Sequence, residues 1–233
     1  DVALPILEDL KRAGLRASDL TQQLLAYAGK GRFVVEPLDL NDVVRDMAKL
    51  LQVSISKRVK LALDFAEGLP PVEADAAQLR QVVMNLITNA SEAMGEREGV
   101  VTLRTACEPV DAAWLSTAYG GAGLAPGPYV VLEVADTGVG MDEATQRKIF
   151  EPFFTTKFTG RGLGLAALLG IVRGHHGAVR VASAPGQGST FRVVLPPYRG
   201  DRPVRRASPA RPADAVRGGG TVLVIDDDAT VLE

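Results

Sequence analysis

Three short segments in a fixed order constrain the fold of this chain more tightly than any other feature. The first, QVVMNLITNA, holds Asn85 and Asn89 four residues apart. The second, DTGVGM, begins at Asp136, and the third, GRGLGLA, begins at Gly160. Each segment is a modest signal alone. Together they supply an amide pair, a carboxylate and a glycine-rich loop, and this combination bounds what the chain can do.

The composition of the 233 residues excludes several broad classes of protein. A hydrophobic fraction of 46% is ordinary for a globular domain. A net charge of -2 gives no overall bias toward nucleic acid or membranes. The single cysteine, Cys107, leaves no internal disulfide, and no apolar run approaches the roughly 20 residues of a membrane helix. We expect a cytoplasmic location and no direct nucleic-acid contact. A soluble fragment of a parent anchored in the inner membrane would have the same composition.

Hydrophobic periodicity predicts four longer helices. Residues 1–29 repeat apolar side chains at spacings of three and four, so they predict one long amphipathic helix. A second helix should start near Asp39 or Asn41 and run to about Lys57. A third should be capped by Asp75 and end at Met94, with the core-facing stripe Leu79, Val82, Val83, Leu86, Ala90 and Ala93. The fourth should span residues 162–175, after a short helix at 142–149.

Alternating and apolar runs predict the strands. They cover residues 59–65, 100–106, 129–135, 178–183 and 189–195, with a turn at 185–188. The run 129–135 is nearly all apolar, so it should be central and buried. Residues 108–128 are rich in Gly, Ala and Pro and predict a long loop. Residues 198–219 predict a flexible linker, and 220–233 read as a buried strand that opens a second, truncated domain.

The asparagine pair is suited to a metal site. Asn85 and Asn89 lie on one face of the predicted helix, so their amides stack. An amide oxygen is a hard, neutral ligand that suits Mg²⁺ alongside waters and substrate phosphates. A pair of ordinary surface asparagines is an equally open interpretation of this segment alone.

Asp136 ends the predicted buried strand and is suited to reading adenine. A carboxylate there can accept a hydrogen bond from the exocyclic amine of adenine, whereas guanine carries a carbonyl at that position. Gly138 and Gly140 would let the backbone approach the base without a Cβ clash. A tight turn without any ligand is the alternative interpretation.

The third segment is suited to phosphate. Gly160, Gly162 and Gly164 precede an apolar helix, where backbone N–H groups and the helix dipole favour an anion. Lys157 and Arg161 add positive charge. Upstream, the aromatic pair of residues 153–154 predicts a mobile lid or a hydrophobic plug. The only histidines, His175 and His176, are interpreted as a helix terminus that favours their charged form, and not as catalysts or metal ligands.

With these motifs in order, residues 36–197 resemble the catalytic ATP-binding domain of sensor histidine kinases. Asn85 to Ala90 resembles the N box, Asp136 to Gly140 the first glycine box, Phe150 to Phe154 the F box, and Gly160 to Leu165 the second glycine box. The resemblance implies an α+β class with a two-layer α/β sandwich of the Bergerat type, in which a mixed sheet packs on helices and one long helix precedes it.

The resemblance also implies the cofactors ATP and Mg²⁺ and a set of site residues. Asn89 would bind Mg²⁺, and Asn85 and Lys157 would serve catalysis. The ATP-binding set would be Asn85, Asn89, Asp136, Gly138, Gly140, Met141, Phe153, Lys157, Gly160, Arg161, Gly162, Leu163, Gly164, Leu165 and Thr190. One departure is Glu92, where many kinases carry a basic residue near the phosphates.

Both flanks resemble further parts of such kinases. Residues 1–32 resemble the second helix of the dimerisation and phosphoacceptor hairpin, and 220–233 resemble the first strand of a response-regulator receiver domain. The implied parent is a bacterial hybrid kinase that forms a homodimer, whereas this fragment would associate weakly or be monomeric. The phosphoacceptor histidine would lie upstream, since no histidine precedes His175. The implied partners are a histidine-bearing hairpin helix, in the parent chain or its dimer partner, and a receiver domain.

Three functions compete at this point. The first is transfer of the ATP γ-phosphoryl group to a histidine on a separate hairpin helix. The second is an ATP-hydrolysing switch of the related gyrase, Hsp90 and MutL superfamily. Those proteins place a glutamate at the position of Asn85, and asparagine is a poor general base. The third is a docking module without catalysis.

Overall fold

A computed structural model describes residues 34–157 and 162–200. The predicted helix 1–29, most of the linker 198–219 and the strand at 220–233 lie outside the described residues. In chain order the elements are β1 (Val35–Leu38), α1 (Leu40–Gln52), β2 (Val59–Phe65), β3 (Val72–Asp75), α2 (Ala76–Met94), β4 (Gly99–Val110), α3 (Ala112–Thr117), β5 (Gly127–Asp136), α4 (Glu143–Lys148), α5 (Gly164–Gly174), β6 (Ala178–Ser183) and β7 (Ser189–Leu195).

A mixed five-stranded sheet forms one layer of the domain. Its strand order is β2-β4-β5-β7-β6, with β2 and β4 parallel and the other pairs antiparallel. The short strands β1 and β3 form a separate antiparallel pair. The predicted α+β class, with a mixed sheet packed on helices, is confirmed. The apolar strand β5 lies at the centre of the sheet, as its composition predicts.

The helices α1, α2 and α5 cover one face of the sheet and bury the main core. The stripe of α2 is buried as predicted, except that Ala93 is only half-buried and Met94 takes its place in the core. Burying a side chain of this size stabilises a fold by about 1.5–3 kcal/mol. None of the helices in the described ranges is long and apolar enough to span a bilayer.

The prediction of a long loop at 108–128 is wrong in part. Strand β4 continues to Val110, helix α3 follows, and β5 already begins at Gly127. The side chain of Asp111 caps α3 by accepting from the Trp114 N–H at 2.7 Å. Leu115 is buried in a second apolar cluster, on the sheet face opposite the main core. This nonlocal packing stabilises a six-residue helix that composition alone does not indicate.

The end of α1 and the strand pair β1–β3 also differ from prediction. Helix α1 ends at Gln52 instead of Lys57, because Ser54 and Ile55 turn back to donate to the Leu51 carbonyl. The stretch after Gln52 contains β-branched residues and serines, which are weak helix formers. Strands β1 and β3 were not predicted, since each has only four residues and the two form a separate two-stranded pair.

His175 lies at the end of α5, as predicted, and is buried there. The residue is 5% exposed, and its Nε2 accepts a hydrogen bond from the backbone N–H of Asp75 at 2.9 Å. Its Nδ1 lies 2.8 Å from the Ile171 carbonyl and donates to it in this tautomer. The histidine therefore ties the end of α5 to the start of α2, the helix that carries the asparagine pair.

His176 stands where a helix terminus favours glycine. Its φ is +56°, and the N–H of Gly177 donates to the Val172 carbonyl at 2.9 Å, which is the Schellman arrangement. We expect His176→Gly to raise the free energy of unfolding by about 1 kcal/mol, and the melting temperature by about 3 °C. The matched control is His176→Ala, which keeps the Cβ and should give no gain. Equal melting temperatures for the two variants would contradict this account.

Candidate nucleotide-binding site

A cavity of about 770 Å³ opens between α2, the end of β5 and the start of α5. This volume is within the range of small-molecule sites. The cavity brings together predicted residues from all three sequence segments. Its predicted lining residues are Asn89, Asp136, Gly140, Met141, Lys157, Gly162, Leu163, Gly164 and Leu165.

Several predicted residues do not line the cavity. Asn85, Gly138, Phe153 and Thr190 are described but lie outside its lining. Gly160 and Arg161 lie outside the described residues. Sequence reasoning missed other lining residues, among them Ala93, Val139, Thr145, Ile149, Phe154, Thr155, Thr156, Ser189 and Phe191.

Asp136 is the buried carboxylate of the cavity and is 8% exposed. Its Oδ1 accepts from the backbone N–H of Gly138 at 2.8 Å. Burial raises the pKa of the carboxyl, while the N–H groups of Gly138 and Ser189 and the charge of Lys157 lower it. A carboxylate keeps further acceptor capacity after one hydrogen bond, so Asp136 can accept from a ligand N–H.

The two glycines after Asp136 are required by packing within the protein. A Cβ on Gly138 would lie 2.7 Å from the Ala93 carbonyl oxygen of α2. A Cβ on Gly140, which has φ of +66°, would lie 1.9 Å from the Ala184 carbonyl oxygen. The first glycine therefore lets β5 approach α2, and the second lets the loop approach the β6–β7 turn. We expected glycine at these positions because the backbone would approach the adenine base. The contacts within the protein give a second reason.

Asn85 positions the second glycine segment. Its Nδ2 donates to the Gly164 carbonyl at 2.9 Å, and both residues lie at the α2–α5 contact. A Cβ on Gly164 would lie 3.4 Å from Asn85 Oδ1, which is a tight contact. Asn85 therefore holds the first residue of α5 against α2, one turn away from the cavity-lining Asn89.

The start of α5 faces the cavity. Leu163 precedes the helix, and no side chain among the described residues caps this end. Gly162, Leu163, Gly164 and Leu165 all line the cavity here. Uncapped N–H groups at a helix start form an anion site that the helix dipole reinforces.

Lys157 is held by two oxygen atoms of α2. Its Nζ donates to Asn89 Oδ1 at 3.1 Å and to Glu92 Oε2 at 2.5 Å. All three residues line the cavity. The ammonium group therefore occupies the position of a cation at the amide that was predicted to bind metal.

This arrangement fits a hard divalent cation. A neutral amide oxygen and a carboxylate, one helical turn apart, are ligand types that Mg²⁺ accepts together with water and phosphate. The Asn89 and Glu92 oxygens both contact the Lys157 ammonium, so they already converge on one positive charge. Glu92, where many kinases carry a basic residue, thus places a carboxylate beside the predicted metal ligand Asn89.

The F box crosses the second glycine segment closely. The N–H of Phe153 donates to the Gly162 carbonyl at 2.8 Å, and Phe153 has a φ of +68°. Phe153 is 64% exposed, whereas Phe154 lines the cavity. The sequence does not indicate which of two adjacent phenylalanines lines the cavity, because it does not show that Phe153 takes a left-handed backbone conformation.

Strand alternation explains the position of Thr190. Neighbouring residues of β7 point to opposite sheet faces, and Ser189 and Phe191 face the cavity. Ser189 is also the register partner of Asp136. Pairing the ends of β5 and β7 is the signal that would have identified Ser189.

The comparison with protein families agrees with this geometry. Residues 74–199 match the family described as "Histidine kinase-, DNA gyrase B-, and HSP90-like ATPase". The fold and the cavity therefore define an ATP-binding domain of that class. The chain belongs to this family, as the catalytic ATP-binding domain of a bacterial sensor histidine kinase.

Curated relatives cover most of the chain. It is 38% identical over 240 residues to "Sensor kinase CckA" of Brucella abortus (strain 2308), and this match covers 99% of the chain and 25% of the relative. It is 35% identical over 176 residues to "Signal transduction histidine-protein kinase AtoS" of Escherichia coli (strain K12), which covers 75% of this chain and 26% of that protein. The chain thus spans about a quarter of the length of these relatives.

Solved structures share the fold. Full-length ShkA, crystallised in complex with AMPPNP, has a TM-score of 0.63 at 28% identity, with coverage of 84% of this chain and 39% of ShkA. A nucleotide-free catalytic domain of the histidine kinase ThkA has a TM-score of 0.55 at 28% identity, with coverage of 70% of this chain and 95% of that one.

Proposed function

We propose that this domain binds Mg-ATP and transfers the γ-phosphoryl group to a histidine on a hairpin helix. The observation that carries the proposal is the convergence of Asp136, Asn89, Lys157 and the start of α5 on one cavity. That set offers an acceptor for adenine, a metal ligand, a lysine ammonium group and an anion site. The whole parent protein would be the kinase, and this chain its nucleotide-binding part.

The base and phosphates would lie at opposite ends of the cavity. The Asp136 carboxylate would accept from the exocyclic amine of adenine, which favours ATP over GTP. The N–H groups at Gly162 to Gly164 would donate to the phosphates. Asn85 would keep that helix start in place through its bond to the Gly164 carbonyl. Such positioning supplies most of the catalysis in phosphoryl transfer.

Asn89 would hold Mg²⁺, with Glu92 beside it. When bound, the metal would neutralise charge on the phosphates. Lys157 would leave Asn89 and Glu92 and donate to the phosphate oxygens. The acceptor histidine would attack through a neutral ring nitrogen, in line with the bond to the leaving oxygen. Because cells supply ATP and Mg²⁺ in the cytoplasm, we place this reaction there.

Hydrolysis by a superfamily switch is the competing function. A hydrolytic enzyme needs a general base that contacts the attacking water. Asn85 cannot act as a base, and its amide is engaged with the Gly164 carbonyl. This contact favours phosphoryl transfer.

The proposal is tested by supplying the acceptor separately. The 233-residue chain is incubated with Mg-ATP labelled at the γ-phosphate and with a hairpin peptide dimer that carries the acceptor histidine. We expect acid-labile label on the hairpin, and none on a hairpin with that histidine changed to alanine. Release of labelled inorganic phosphate at the same rate with and without hairpin would favour the hydrolytic switch.

Glu92 should restrain Lys157. An exposed ion pair stabilises by about 0.2–1 kcal/mol. Because Lys157 must leave this pair to reach the phosphates, the pair should lower the affinity for ATP by up to about 5-fold. We expect Glu92→Gln to tighten ATP binding by about 2- to 5-fold and ADP binding less, because the γ-phosphate no longer faces a carboxylate. Titration calorimetry measures both constants. Glu67→Gln, an exposed site away from the cavity, is the control. Weaker ATP binding by Glu92→Gln would instead make Glu92 a required metal ligand.

The proposed partners follow from the family. A histidine-bearing hairpin would donate the acceptor, and a receiver domain would take the phosphoryl group onward. A parent homodimer would bring hairpin and catalytic domain together. The relatives are named as sensor kinases, which supports a kinase role.

A further inference from the structure

Tyr119 lies on the segment between β4 and β5 and outside the nucleotide cavity. Its backbone pairs with β6, the edge strand of the sheet. The Tyr119 N–H donates to the Val179 carbonyl at 2.8 Å, and the Val179 N–H donates back at 2.9 Å. Two hydrogen bonds thus fix the position of this one residue against the sheet.

Helix α3 and the turn around Tyr119 are tightly packed. Leu115 of α3 is 3% exposed, within the second apolar cluster. Gly120 has φ of +83°, and a Cβ on Gly121 would lie 2.1 Å from the Leu115 carbonyl oxygen. Only glycine fits so close a turn. The two glycines therefore permit the tight turn that places Tyr119 beside β6.

The side chain of Tyr119 reaches across to the other side of β6. Its ring lies against the buried ring of Phe150, with centroids 4.5 Å apart and planes inclined at 53°. Its hydroxyl donates to the Gln146 carbonyl of α4 at 3.2 Å. Tyr119 therefore contacts α4 and the first residue of the F box at once.

Both contacts lead directly to the cavity wall. Gln146 donates from Nε2 to the Met141 carbonyl at 3.1 Å and to the Ser183 carbonyl at 2.9 Å. Phe150 follows Ile149, which is 5% exposed. Met141 and Ile149 both line the cavity. The Met141 N–H donates to Ser183 Oγ, which lies 3.0 Å from the hydroxyl of Ser189, the register partner of Asp136. Tyr119 thus packs behind the wall that the adenine would contact.

We propose that Tyr119 is a positioning residue of the nucleotide site. It holds α4 and Phe150 from behind and so keeps Met141 and Ile149 in place beside Asp136. The inference rests on the proposed function in one respect, namely that adenine occupies this half of the cavity. Small displacements of groups that position a ligand are costly in binding and rate.

The position of the contact predicts a distinctive pattern of affinities. Loss of the Tyr119 ring disturbs only the adenine half, so ATP and ADP should weaken by the same factor. Loss of the Lys157 ammonium disturbs the phosphate half, so Lys157→Met should weaken ATP more than ADP. A general loss of stability would produce neither pattern below the melting temperature.

The experiment compares three tyrosine variants of the 233-residue chain. Dissociation constants for ATP and ADP are measured at a temperature where every variant is folded. We expect Tyr119→Ala to weaken both by about 5- to 20-fold. Tyr119→Phe keeps the ring and should stay within about 2-fold of the wild type. Tyr129→Phe is the control, because its hydroxyl donates to Ala125 within the same segment and not to α4.

Hydrogen exchange gives a second readout that needs no nucleotide. The amides of residues 141–157 should exchange faster in Tyr119→Ala, and not in Tyr119→Phe or Tyr129→Phe. Wild-type constants and wild-type exchange in Tyr119→Ala would overturn the inference. Weakening of ATP and ADP by unequal factors would also overturn it. A wild-type chain that binds neither nucleotide would contradict the proposed function, and the exchange rates would still test the Tyr119 contact.

Discussion

Replacing Asp136 with asparagine is expected to weaken ATP binding by at least about 100-fold without unfolding the domain. One side-chain oxygen is already occupied by the Gly138 N–H. An asparagine that keeps this bond turns its Nδ2 donors toward the amine of adenine, so two donors face each other. The lost hydrogen bond to a charged group and the unpaired donors together account for about 3 kcal/mol.

The same substitution should leave the melting temperature at pH 7 unchanged or raise it. Burial raises the pKa of Asp136 in the folded chain, so ionising it costs the folded state stability. That cost is absent below the ordinary pKa of an aspartate and fully present above the raised pKa. Asparagine carries no charge and removes the cost. Competition with a fluorescent nucleotide measures the affinity, and thermal melting measures the stability.

Asp46→Asn is the matched control for Asp136→Asn. Asp46 is exposed on α1, so its substitution should change neither ATP affinity nor melting temperature. A drop in melting temperature that accompanies the loss of binding would show that Asp136 supports the fold and is not a ligand-reading group. ATP affinity within a few-fold of the wild type would remove adenine reading from the account.

Replacing Asn89 with alanine is expected to abolish the dependence of ATP binding on magnesium. In the wild type, chelating the metal should weaken ATP binding, because charge on the phosphates is no longer neutralised. The variant lacks the amide oxygen and should bind ATP weakly with or without metal. Transfer to a supplied hairpin should fall about 100- to 1000-fold, the effect of losing one charge-stabilising group. Calorimetry with magnesium and with chelator measures the dependence.

Asn85→Ala separates the metal role from a general effect on α2. It removes the same amide group from the same helix, one turn away, and breaks the bond to the Gly164 carbonyl. We expect it to weaken ATP by similar factors with and without magnesium. If Asn85→Ala abolished the metal dependence and Asn89→Ala preserved it, the assignment of the metal ligand would be reversed.

Local signals explain the parts of the fold that sequence predicts well. Strands β6 and β7 have the predicted bounds, because alternation and a glycine turn are both local. Asp75 caps α2 as predicted, with Oδ1 accepting from Ala77 and Gln78. Helix α3 could not be predicted in the same way. Its six residues contain one leucine and one tryptophan, and their packing on a distant sheet face is a tertiary effect.

The same distinction between local and tertiary signals applies to the candidate site. The motifs predict Asp136, Asn89 and the start of α5, because glycine spacing and strand ends are visible in the sequence. The pairing of Lys157 with Glu92 joins residues 65 positions apart, and no local pattern contains it. The contact of Tyr119 with Phe150 likewise depends on how α3 returns the chain to β6.

The most direct test of the central claim is calorimetric titration of the wild-type chain with ATP and with GTP, each in magnesium. The account predicts saturable ATP binding at one site, weakened by a chelator, and GTP binding weaker by at least about 100-fold. This result would mean that Asp136 and Asn89 act on base and metal as proposed. Equal affinity for ATP and GTP, or no binding by the folded chain, would contradict it.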